Sequence, residues 1–230
     1  MTVRRAVLAV LGVVLLIAVA LAALLVMVPA GAAEKSPPAP FAKGGRGGFA
    51  PSPAATRWRA ELTRQAHAQW GLDAPVPALA AQVHQESGWR ADAVSRVGAQ
   101  GMAQFMPATA RWWCDLHRLS ATDCRPANPR WALRALVGYD RWLWDRLAAA
   151  GNPSDRLWAT LRSYNGGLGH WQAESRLAAG PLRTHIDAAC GRARRAPGHC
   201  PENLGYPRRI LFDLQPRYST WGAVWSVPAE

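Results

Sequence analysis

Lysine is nearly missing from this chain of 230 residues: Lys35 and Lys43 are its only copies, and every other basic residue is arginine. Acidic residues are also few, 15 against 27 basic ones, leaving a formal net charge of +12. Such a balance invites a nucleic-acid partner, but no basic stripe with a nucleic-acid-binding motif accompanies it, so nucleic acid is not the expected partner. Strand signals are sparse and no internal repeat is visible, which points to a mainly helical domain. The Cys-x-x-Cys spacing of common zinc sites is absent. A zinc ion would have to use His185, Cys190, His199 and Cys200, and the adjacent pair would crowd one ion. No metal and no cofactor are therefore expected.

What the chain has in quantity is apolar length at one end and tryptophan at the other. Ala6 to Val28 is uncharged and apolar, long enough at about 1.5 Å per residue to cross a bilayer. Arg4 and Arg5 precede it and set the N-terminus inside. The competing reading is a cleaved signal, because Ala30-Gly31-Ala32 is a small-residue site. Residues 1–33 are thus expected to be an inner-membrane anchor through 6–28, or an export signal. The domain then faces the periplasm, or is released into it if the segment is cut. Residues 34–55 form a Pro- and Gly-rich linker with little to bury. Residues 56–216 form the folded domain and 217–230 a tail. In an exported domain, four cysteines read most simply as two local disulfides, Cys114–Cys124 and Cys190–Cys200, among three connectivities.

Helix signals follow one another along the domain. Thr56 can cap a helix to Trp70, with Trp58, Leu62 and Ala66 on one face. Pro75 and Pro77 suit the entry of a helix ending at Ser87. Leu79, Val83 and Glu86 share its apolar face, while Gln82, His84 and Gln85 lie off it. Glu86 therefore points toward packed protein, where burial penalises a charged carboxyl. Asn128-Pro129 opens a helix to Ala150, and Pro153 one that ends at Asn165. Residues 180–200 read as a loop, and Tyr206 to Leu214 as the last helix.

The residues around Glu86 carry the chemistry. Gln85-Glu86-Ser87 is followed by Ser95 and by the run from Gly98 through Gln104 to Met106-Pro107. Further on stand Tyr164-Asn165-Gly166-Gly167 and Glu202-Asn203-Leu204-Gly205-Tyr206. Together they resemble the soluble-type lytic transglycosylases, over roughly Val76 to Tyr206. Departures are small: Met102-Ala103 stands for Leu-Met, Ser163 for alanine and Pro207 for valine.

The resemblance implies a lysozyme-like fold and the glycan strand of peptidoglycan as substrate. It implies Glu86 as the catalytic acid/base, assisted by Ser95. Gln104, Met106, Tyr164, Asn165, Glu202 and Tyr206 are implied as sugar-site residues. It also implies cleavage of the β-1,4 bond between N-acetylmuramic acid and N-acetylglucosamine, ending in a 1,6-anhydro sugar. Most glycosidases use two carboxylates; Asp92 sits in an expected loop, and no clear second acid accompanies Glu86. The alternatives are a goose-type lysozyme that uses water, and a tethered wall-binding module without catalysis. A basic surface suits anionic walls, and one or two of the 12 tryptophans could line a sugar groove.

Overall fold

A computed structural model describes residues 50–148 and 150–226. The expected span Ala6 to Val28 lies outside them. Among the described residues no helix is long and apolar enough to cross a membrane.

The described chain is helical, with only isolated bridges around Gln100. Helix α1 (Pro53–Trp70) begins one turn earlier than Thr56 would start it, because the Ser52 side chain accepts from the Ala55 N–H. Its buried residues include Leu62 and Ala66, whereas Trp58 is half-buried. Helix α2 (Val76–Ser87) ends at Gly88, in the left-handed conformation (φ 62°) that favours glycine. Here the one-face reading fails. Gln82 and Gln85 are buried along with the aliphatic residues, and His84 is the side chain left half-exposed. Helix α2 is enclosed because α1, the π-turn 209–214 and the 3-10 segment 215–221 all pack on it.

Helix α3 (Pro107–Leu116) was not foreseen and follows the Gly98–Pro107 turn. Helix α4 (Pro129–Arg146) is capped by Asn128, which accepts from the Arg130 and Trp131 N–H groups. It stops short of Ala150. Helix α5 (Pro153–Gly166), capped by Asn152, packs on α4, on α6 (Leu168–Leu177) and on α8 (Cys200–Arg208).

Residues 180–200 are not a plain loop: they hold the short helix α7 (Arg183–Asp187) and a 3-10 turn at Pro197–His199. The last helix also differs. Cys200–Arg208 is α-helical, Arg209–Leu214 widens to a π-helix, and Gln215–Trp221 tightens to 3-10. Pro207 lies inside this run and cannot donate its backbone hydrogen bond. Residues 217–226, read as a tail, bring Tyr218 and Trp221 into the core. Cys114 pairs with Cys124 and Cys190 with Cys200, at Cα separations of 5.8 and 5.9 Å. Cys190 and Cys200 are thereby withdrawn from any zinc set.

Beneath α8 lies a buried ion network. Arg162 of α5, fully buried, donates to Glu174 (2.6 Å), Asp187 (2.7 Å) and the Asn203 side chain (3.0 Å). Arg195 donates to the other Glu174 oxygen at 2.9 Å. A Cβ at Gly166 would strike the Arg195 guanidinium and the Asn203 amide, so α5 must end on a glycine here. Arg162, Arg195 and Glu174 are buried and Asp187 is 15 % exposed, and each charge has an opposite one within hydrogen-bond reach.

Candidate active site

Glu86 occupies the last turn of α2 and is 8 % exposed. Its Oε1 accepts a hydrogen bond of 2.6 Å from the Tyr206 hydroxyl of α8. Tyr206 is buried, and burial first, then the negative charge of Glu86, holds its phenol well above the usual tyrosine range. The phenol is therefore a neutral donor at every physiological pH. Tyr164 of α5 is buried nearby and held high by the same two causes in the same order. Its hydroxyl donates to the Ala103 carbonyl at 2.7 Å, fastening α5 to the glycine-rich turn.

That turn is held mainly by backbone and amide bonds. Ser95 and Ala99 close it twice: the Ser95 N–H reaches the Ala99 carbonyl, and the Ala99 N–H reaches Ser95 Oγ, both at 2.9 Å. Gln100 and Phe105 exchange hydrogen bonds of 3.0 and 3.2 Å. Gly101 (φ 73°) lies where a Cβ would strike the Pro126 carbonyl. Gln104 itself adopts φ 48°, a conformation few side chains accept, and its amide donates to the Gly101 and Ala93 carbonyls at 2.9 and 3.1 Å. Ser87 ties α2 to the turn by donating to the Met102 carbonyl at 2.9 Å.

These elements enclose a cleft of about 260 Å³ lined by Glu86, Ser95, Gln104, Asn165, Glu202 and Tyr206, together with Gln85 and Arg209. Six of the residues singled out in the sequence are thus brought together. Tyr164 lies beneath the wall rather than on it, and Met106 is buried at the start of α3, away from the lining. Asn165 donates to Glu202 at 3.3 Å and accepts from Asn203 at 3.0 Å, which links the wall to the buried ion network. Glu202 is therefore a second carboxylate on the cleft, one the sequence did not mark as an acid partner. Asp92 is exposed and stays outside it. Among the described residues no tryptophan lines the cleft; Trp158 belongs to a separate groove behind α8.

Gln85 and Arg209 were missed. Gln85 looked like an off-face polar residue, yet it is 9 % exposed and accepts from Arg209 Nε at 2.7 Å. The signal for Arg209 was available, since Glu202, Tyr206 and Arg209 recur at the four-then-three spacing of one helix face.

Comparison with known proteins places this architecture. The Transglycosylase SLT domain matches residues 61–183, more than half of the chain. Membrane-bound lytic murein transglycosylase F of Alteromonas mediterranea is 37% identical over 92 residues, 40% of this chain and 18% of that protein. Its counterpart in Maricaulis maris is 35% identical over 100 residues, 44% of this chain and 20% of that protein. The chain thus spans about a fifth of the length of these curated relatives. Among solved structures, lytic transglycosylase Slt of Pseudomonas aeruginosa, in an inactive variant, superposes with a TM-score of 0.56 at 20% identity. The 70 kDa soluble lytic transglycosylase of Escherichia coli gives 0.55 at 21%. Each superposition covers 73% of this chain and 25% of the other. At such identities the likeness is one of fold. The match over residues 61–183 goes further: the chain belongs to the Transglycosylase SLT domain family.

Proposed function

We propose that this chain is a peptidoglycan lytic transglycosylase with Glu86 as its single acid/base. The observation that carries the reading is a nearly buried carboxyl on the cleft, held at 2.6 Å by a neutral phenol. Protonated Glu86 donates to the glycosidic oxygen, and the bond from that oxygen to the muramyl anomeric carbon breaks. The carboxylate then takes the proton of the muramyl 6-hydroxyl, whose oxygen bonds to the anomeric carbon. Glu86 ends as it began, the product is a 1,6-anhydro sugar, and no water is consumed. Tyr206 stabilises the carboxylate between the two transfers. Ser95, Gln104 and Asn165 supply polar contacts for the sugar, and Glu202 borders its path. Met106 and Tyr164 act from beneath, by shaping the wall.

A second reading, hydrolysis in the manner of a goose-type lysozyme, has one observation on its side. Glu202 is a second carboxylate on the same cleft and could activate water. Mass spectrometry of muropeptides released from purified wall separates the two, because the anhydro product is lighter by one water. Reducing ends alone would replace the first reading by the second.

The curated relatives are named membrane-bound. With the apolar stretch 6–28 and two disulfides, this supports placement at the inner membrane, with the domain in the periplasm.

A further inference from the structure

Arg209 is the one cation among the described residues that line the cleft. It opens the π-helical turn and stands on the same face of the α8 run as Glu202 and Tyr206. The side chain is exposed, so it meets whatever enters. It is also directed: Gln85, the residue next to Glu86, accepts its Nε hydrogen at 2.7 Å. Gln85 is nearly buried and spends its carbonyl oxygen on this task. Exposed arginines ordinarily wander through many rotamers, so anchoring Nε removes part of the entropy that binding would otherwise cost. A guanidinium held by Nε still has the fork between its terminal nitrogens, the geometry that grips a carboxylate through two parallel hydrogen bonds. The other ionisable groups on the cleft are two carboxyls, Glu86 and Glu202, and Glu86 acts in its protonated form. Among the described lining residues, Arg209 alone offers an anionic ligand group a countercharge.

We propose that Arg209 is a specificity-determining residue that binds a carboxylate of the glycan, with Gln85 as the residue that positions it. The proposal rests on the glycan-cleaving reading of the same cleft. In a peptidoglycan strand the carboxylate has two sources, the lactyl group of a peptide-free muramyl unit and the stem peptide of a substituted one. Arg209 selects such glycans over neutral N-acetylglucosamine polymers, which share the backbone linkage and lack the charge.

The test is calorimetric binding by the full chain carrying Glu86→Gln, with and without Arg209→Ala. Three tetrasaccharide probes are used: N-acetylglucosamine alone, alternating muramyl units with free lactyl groups, and the same units bearing stem peptides. Arg209→Ala is expected to weaken one or both muramyl probes about tenfold, the scale of a charge-assisted pair. Affinity for the neutral probe stays within about twofold. Loss on the lactyl probe identifies that carboxylate, and loss on the peptide probe alone identifies the stem. Arg209→Lys should recover only part of the loss, since it keeps the charge without the fork. Equal weakening of all three probes, no weakening of any, or no binding of the muramyl probes by the parent overturns the proposal. Cleavage by the unsubstituted chain is followed separately. Charge-selective binding without cleavage would remove the enzymatic reading and leave Arg209 as the carboxylate-binding residue.

Discussion

Tyr206 donates its hydroxyl to Glu86 across 2.6 Å, and this bond joins the end of α2 to the last turn of α8, 120 residues away in sequence. A short bond to a nearly buried carboxyl is worth more than one to a neutral acceptor. Tyr206→Phe should therefore lower the rate of glycan release about tenfold, with a smaller change in substrate affinity. The variant no longer stabilises the charged carboxylate, so the alkaline limb of its pH–rate profile should move upward. Rates measured across pH on purified wall check both; an unchanged rate and profile would leave the bond without a catalytic role.

The ion network under α8 predicts a stability cost. Arg162→Met removes the common partner of Glu174 and Asp187, leaving buried Glu174 with Arg195 alone and Asp187 without its Arg162 bond. Breaking a buried pair from one side costs about 3–5 kcal/mol. Urea unfolding should show a loss in that range, and a loss below about 1 kcal/mol would mean that the network is readily replaced.

The two disulfides should separate by function. Each closes a short loop, worth about 2–3 kcal/mol by chain entropy. Cys190–Cys200 holds the first residue of α8, the helix that carries Glu202 and Tyr206. Replacing that pair by serine should lower both melting temperature and activity. Replacing Cys114 and Cys124, which brace the end of α3, should lower melting temperature and leave more of the activity. Equal effects of the two pairs on activity would remove the distinction.

His84 gives the domain a pH-dependent margin. Burial, then the charges of Arg217 and Arg209, hold its imidazole below the usual 6.5. A depressed folded-state value contributes stability that is present above about pH 6.5 and lost as pH falls through the lower folded value. His84 also bonds the Tyr218 hydroxyl at 2.8 Å. His84→Gln should flatten the fall of melting temperature between about pH 7 and pH 5. Parallel curves for the two proteins would show that another group sets the acid limb.

The candidate site was legible in its membership of one cleft, where chemistry and spacing coincide. Glu86, Ser95, Gln104, Asn165, Glu202 and Tyr206 stand in short motifs, and the cleft collects them. Periodicity served less well on α2, because a helix enclosed on nearly every side has no single apolar face; Gln82 and Gln85 are buried against partners distant in sequence, Asp140 and Arg209. Helix ends were set by caps one residue outside the helix, Ser52 and Asn152, which bond N–H groups inside the first turn. The widening at Arg209 and the packing of Tyr218 and Trp221 follow from long-range contacts that no local pattern carries.

The most direct measurement is turbidity loss of intact wall with the unsubstituted chain and with Glu86→Gln, folding being checked by circular dichroism. A glutamine keeps the shape and can accept the Tyr206 hydrogen bond, but its amide has no acidic proton to transfer. The unsubstituted chain is expected to clear the wall and leave 1,6-anhydro ends on the fragments, and a folded Glu86→Gln variant to give no clearing above background. Clearing by that variant at a comparable rate would contradict Glu86 as the acid/base and the mechanism with it.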